Sequence, residues 1–216
     1  MRLSLRLATA LVVFGALSTL RAQPQAFEST WLSRPRQPIV GSHAAARVSV
    51  VTYLDWQCPS CRVAERAYAP VFADFARRLP GAVSVETRDY PLNSTCNPYV
   101  PISLHPAGCE AAVAVRLARA RGTAPAMIDW LFAKQESLTP GSVRDAAASV
   151  GKVADFAVRY EGVLREVAVD VADAHRFGVM STPTYFINGI LARGDNGRLF
   201  TADEMRRAIE IELARR

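Results

Sequence analysis

The chain has 216 residues, half of them apolar, 21% charged and 8% aromatic, with a formal charge of +6. That is ordinary globular composition, which excludes a disordered polymer, a collagen-like fibre and a multi-span membrane protein. Four cysteines are too few to staple so long a chain as a small disulfide scaffold, and the basic residues, arginine but for Lys134 and Lys152, form no stripe for nucleic acid.

The chain opens on a leader. Arg2 and Arg6 precede an apolar run from Leu7 to Leu20, and Ala22 offers a small residue for cleavage. Residues 1–22 thus read as a secretory signal, the run being shorter than the about 20 residues of a bilayer span; an uncleaved anchor is the alternative. Losing Arg2, Arg6 and Arg21 with no acid leaves a charge of +3. Export implies a periplasmic or other extracytoplasmic setting, where disulfides persist, so four cysteines suggest two pairs. Residues 23–46 read as a linker, because Pro24, Pro35, Pro38 and Gly41 break any periodicity.

Residues 47–216 form the domain. VSVVTYL, Val48 to Leu54, is short and β-branched, as a buried central strand should be. Val63, Ala67, Val71, Phe75 and Leu79 then predict a helix with one buried face, kinked at Pro70 and stopped at Pro80-Gly81. Val83 to Tyr90 alternates as a second strand. A proline-rich loop over 91–105 leads into a helical block at about 107–178, whose last segment carries a stripe of Leu164, Val167, Ala168, Val171 and Ala172. Asn188-Gly189 joins two short strands, since both residues tolerate positive φ. Thr201 and Glu204 form a capping box for a C-terminal helix. The class is α/β: strand-helix-strand predicts a parallel pair, the hairpin adds antiparallel strands, and the sheet is mixed.

Cys58-Pro59-Ser60-Cys61 carries the chemistry. At i and i+3 of a first helical turn both sulfurs project to one side. Cys58 at the helix N-terminus meets unpaired amides and the helix dipole, which stabilise a thiolate. Pro59 suits the first helical position because its missing N–H costs nothing there, the Ser60 hydroxyl can donate to a thiolate, and Cys61 is placed to resolve a mixed disulfide. Two other readings remain: half of a zinc site completed by Cys96, His105 and Cys109, or a structural disulfide. Downstream, Thr182-Pro183 directly precedes a strand, so Pro183 either starts that strand or is cis and bares the Thr182 backbone to a substrate segment.

YLDWQCPSC with GVMSTPTYFINGILARG resembles the DsbA-like branch of the thioredoxin superfamily, from about Arg47 to the C-terminus. The resemblance implies a thioredoxin fold, a central mixed sheet flanked by helices, with a helical domain inserted before the Pro183 strand. It also implies attack by Cys58, resolution by Cys61 and peptide docking at Thr182-Pro183. Asp89 to Ala112 is similar to DsbA-like domains fused to, or working with, quinone-linked vitamin K epoxide reductase homologues in the membrane. Two departures stand out: Thr52 takes the place of the acid that many relatives carry six residues before the first cysteine, and no histidine lies inside the motif. Asp55, three before Cys58, either replaces that acid or is a solvated loop residue. His105 and His175 read as structural.

The leading expectation is an exported enzyme that forms disulfides in unfolded or reduced exported proteins, as a monomer, with no cofactor, metal or nucleic acid. The alternatives are a reductase or isomerase of the same fold, and a redox-inert binding or chaperone module with structural disulfides or zinc. Cys96 and Cys109 are expected to bond to each other across a loop holding Pro98, Pro101 and Pro106, as a staple or, alternatively, as a relay towards a membrane partner.

Overall fold

The computed structural model describes residues 25–39, 41 and 45–215, so the leader over 1–22 lies outside the described residues. Four strands form one sheet in the order β2-β1-β3-β4. β1 is Val48–Leu54 and β2 is Val83–Asp89; they pair in parallel with Val48 beside Val83, joined by helix α2, Pro59–Arg78. β3, Thr184–Ile187, runs antiparallel to β1 with Phe186 beside Val51, and β4, Ile190–Leu191, folds back on it.

β1 is apolar throughout because both of its faces are covered. Val48 and Val50 enter one core with Tyr68 and Phe75 of α2, whereas Val51 and Tyr53 enter a second core with the inserted helices. The first core also takes Met205 and Ile209 from the C-terminal helix, Ala202–Ala214. Thr201 and Glu204 make the reciprocal bonds of a capping box at its start.

The insert is four helices: α3 (Gly108–Ala120), α4 (Ala124–Lys134), α5 (Pro140–Ser149) and α6 (Phe156–Arg176); the C-terminal helix is therefore α7. α3 is buried almost all round, as a helix at the centre of a bundle must be. A 3₁₀ turn, Gln135–Ser137, follows α4.

Three expectations are corrected. Residues 25–33 are helical (α1), within the stretch read as a linker. Trp31 there is buried against Phe200 and donates to Glu212 Oε1 at 3.0 Å, while Arg36 bridges to Glu212 at 2.8 Å. The segment then docks on the hairpin: Gln37 N–H donates to Gly189 O at 2.8 Å, and a Cβ at Gly189 would lie 2.1 Å from Gln37 O. Asn188 and Gly189 take the positive φ values their turn demands. In α2 the buried face is Cys61, Ala64, Tyr68, Val71 and Phe75, and Val63 is 63% exposed. A strict four-residue repeat drifts about 40° per step around an α-helix, so it cannot stay on one face. In α6 the buried stripe is Val163, Val167, Val171 and Ala174, about one position before the expected one, with Ala168 and Ala172 exposed.

Candidate active site

β1 delivers the chain to Asp55, and α2 starts on Cys58, its N-cap in extended conformation with Pro59 in the first helical positions. Pro59 and Ser60 are exposed on that first turn. Cys58 donates its N–H to Asp55 O at 3.0 Å, and Cys58 O accepts from the Cys61 and Arg62 amides at 3.1 and 3.3 Å. Cys58 and Cys61 are free thiols; Cys58 is 6% exposed and Cys61 is fully buried.

The two sulfurs are electrostatically unlike. A hydrogen bond from the Cys61 thiol lowers Cys58 to a pKa of about 6 against the cost of burial, helped by the Thr182 hydroxyl and the Cys61 amide; the Asp55 charge opposes this. Burial, then the Cys58 thiolate beside it, hold Cys61 well above the usual thiol range. One sulfur is therefore an acidic nucleophile at the helix start and the other a fully buried reserve.

Thr182 faces the pair. The Thr182–Pro183 peptide is cis, and Cys58 Sγ lies 3.5 Å from Thr182 O. The buried Thr182 hydroxyl has no oxygen or nitrogen partner, so it is free to serve the sulfurs. Arg193 braces this turn, donating to Pro183 O at 3.1 Å and Ser181 Oγ at 3.3 Å. A cleft lined by Phe177, Met180, Ser181, Phe186 and Leu191 opens beside it.

Of the two readings of Asp55, the solvated one is corrected. Asp55 is 1% exposed, because the loop leading into α3 roofs it. Its carboxylate accepts the Gln57 and Leu92 amides at 2.7 Å each and lies 2.8 Å from His105 Nδ1. The insert grips the same segment elsewhere. Gln135 Nε2 donates to Cys58 O at 2.7 Å and Trp56 O at 3.2 Å, and Gln57 Oε1 accepts from the Ala107 amide at 2.8 Å. Neither glutamine has a sequence signature, and the sequence offers His105 only as a zinc ligand of the alternative site or as a structural residue.

Cys96 and Cys109 are joined to each other, with Cα atoms 6.1 Å apart, pinning the loop to the first turn of α3. Neither is then available to a zinc ion shared with Cys58 and Cys61. His175 is exposed and stacks on Tyr99 at 3.7 Å.

A protein-family model described as thioredoxin matches residues 33–210. Among curated proteins the chain is 30% identical over 148 residues to a Na(+)/H(+) antiporter NhaA 3 of Salinispora tropica, covering 67% of this chain and 20% of that protein. An NhaA 1 of Salinispora arenicola gives the same identity and coverage. The chain thus spans about a fifth of the length of the curated relatives it matches. Among the described residues no helix is long and apolar enough to cross a membrane. Similar solved structures include reduced DsbG from Mycobacterium tuberculosis (19% identity, TM-score 0.54, 84% of each chain). BdbD from Bacillus subtilis is 20% identical with TM-score 0.51, covering 82% of this chain and 92% of that one. The catalytic domain of Proteus mirabilis ScsC is 17% identical with TM-score 0.58, covering 89% and 98%.

Proposed function

The chain belongs to the thioredoxin family, and from that premise we propose that it is a thiol–disulfide oxidoreductase that forms disulfides in exported proteins. The observation that carries this reading is the placement of the pair: Cys58 caps the helix 3.5 Å from Thr182 O at the cis Thr182–Pro183 turn, with Cys61 fully buried behind it, and this placement makes the two thiols unequal, Cys58 lowered and Cys61 raised. In the oxidised enzyme a substrate thiolate attacks Cys58 Sγ, breaking the Cys58–Cys61 bond. Cys61 leaves with the electron pair and takes up a proton. A second substrate thiolate then attacks the substrate sulfur of the mixed disulfide and expels the Cys58 thiolate. The substrate loses two electrons to a new disulfide and the enzyme is left as the dithiol. An acidic Cys58 favours this direction twice, as a good leaving group and as a group that stabilises the reduced enzyme.

The substrate is an extended reduced segment laid along Thr182-Pro183 and the cleft beside it. Export rests on the basic-apolar-small pattern of residues 1–22. The reoxidant is a quinone-linked membrane protein of the vitamin K epoxide reductase class, a proposal that rests on the likeness of the Asp89 to Ala112 segment. Equilibration with glutathione tests the direction. The expected potential lies between about −120 and about −270 mV, the values of a strong oxidant and of a cellular reductant. A potential below the lower figure makes the protein a reductase, and a Cys58→Ala variant that keeps full activity makes it an inert module.

A further inference from the structure

Asp55 is a liability beside a nucleophilic sulfur. It lies three residues before Cys58, its side chain fully shielded from solvent, so its charge acts through protein and disfavours the thiolate. The fold nevertheless builds a nest for it: two backbone amides at 2.7 Å and the N-terminal turn of α3. A Cβ at Gly108, the first residue of that helix, would sit 3.1 Å from Asp55 Oδ2. Amides are neutral dipoles. The group bonded to this carboxylate that can bring a whole positive charge is the His105 ring, at 2.8 Å.

We propose that protonated His105 cancels the charge of Asp55 and so sustains the Cys58 thiolate, making His105 a positioning residue that acts on the dithiol through Asp55. This rests on the oxidoreductase reading and adds to it a regulator carried by the insert. Burial of His105 works against its protonation, but the hydrogen bond and charge of Asp55, and then the charge of Cys58, outweigh burial and raise its pKa. The other groups around the dithiol come from four elements, one of them β3, whose Tyr185 couples to Cys61 and is held protonated by burial. α2 brings Cys61, a neutral thiol, Arg62, whose Nη1 donates to Phe132 O, and Glu65, raised by burial with the Tyr185 hydroxyl 3.5 Å away. α3 brings Arg119, stacked over Trp56 at 5.7 Å. The Pro183 turn brings Thr182, which does not titrate. The two arginines stay charged throughout, so His105 and Glu65 are the groups to separate by experiment.

Coupling is reciprocal: if protonated His105 favours the thiolate, the thiolate must favour protonated His105 by the same factor. The first measurement therefore needs no variant. The His105 ring resonance, assigned against His43 and His175, is titrated by NMR in the reduced and oxidised protein. The expected pKa is higher in the reduced state by about half a unit or more, and equal values in both states overturn the proposal. The second measurement is the pH profile of Cys58 alkylation. His105→Gln keeps a donor at Asp55 without the charge and should raise the Cys58 pKa by about half a unit to one unit. Adding Asp55→Asn should bring it back, and Glu65→Gln should leave the His105 coupling in place. A Cys58 profile unchanged in His105→Gln also overturns the proposal; should that variant fail to fold, the wild-type titration decides. Wild-type protein that shows the coupling yet oxidises no dithiol would sink the oxidoreductase reading alone.

Discussion

The β1–α2 segment and the insert contribute to the site in different ways. The first supplies both sulfurs within four residues, so its chemistry is local: a strand end, a helix start and two thiols on one turn. The second supplies no reacting atom. It reaches in from far along the chain, with His105 on the Asp55 carboxylate and Gln135 on the Cys58 carbonyl. The contrast teaches that a dithiol motif specifies what reaction is possible and most of the nucleophile's acidity, while residues distant in sequence add to that acidity at Thr182 and steady the Cys58 backbone at Gln135.

The largest effect falls on the local half. Cys58→Ser should abolish dithiol oxidation altogether, and Cys61→Ser should arrest the cycle at a mixed disulfide on Cys58. In the reduced wild type, iodoacetamide at pH 7 should label Cys58 and spare Cys61; equal labelling of the two would erase the asymmetry. Next comes the staple of the insert's entry loop. Replacing both Cys96 and Cys109 by serine frees a loop closed across 13 positions, worth about 3 kcal/mol on the loop-entropy account. The melting temperature should fall while Cys58 and Cys61 still oxidise model peptides. Unchanged stability with collapsed turnover on the proposed membrane reoxidant would instead mark the pair as an electron relay. Smaller again is Gln135→Ala, which removes the donor to the Trp56 carbonyl and one of three donors to Cys58 O, at about 1–3 kcal/mol. Urea unfolding should report that loss, and a neutral result would mean that the insert does not hold the active-site turn.

How much of this the sequence reveals follows the same division. β1 is legible to the residue because a β-branched run covered on both faces has one reading, and the Asn188-Gly189 turn and the Thr201 cap are legible because each is a local rule. Cys58 to Cys61 is legible for the same reason. Helix α1 is not, since Trp31 finds its partners at Phe200 and Glu212, and prolines at both ends of the segment hide a short helix. Asp55 looks like a loop acid until the 91–107 segment closes over it. His105 looks idle until its carboxylate is found fifty residues earlier. Local pattern carries strands, turns and caps; contacts between segments decide which polar residues are buried.

The local half also leaves a signature in pH. The Cys58 pKa is about 6 in the folded, reduced protein and about 8.5 in an unfolded chain. A depressed folded pKa contributes stability that is fully present above the unfolded value and is lost as pH falls through the folded one. At pH 7 most folded Cys58 is ionised and most unfolded Cys58 is not, which favours the reduced fold by about 1.4 kcal/mol. Cys61, held well above the usual range, is a thiol in both states below pH 8 and adds nothing there. His105 has the opposite sign: its raised pKa stabilises below about 6.5 and that contribution fades as pH climbs through the folded value. Because the His105–Asp55 bond does not require a thiolate, most of that slope belongs to both redox states, and subtracting oxidised from reduced stability isolates Cys58. The difference should grow by about 2.5 kcal/mol from pH 5 to pH 8. The reduction potential should show the same proton count, falling about 59 mV per pH unit below pH 6 and about 30 mV above it, where reduction takes up one proton and not two. A slope that stays near 59 mV through pH 8 would mean that Cys58 is an ordinary thiol and that helix start, Cys61 and Thr182 together do not acidify it.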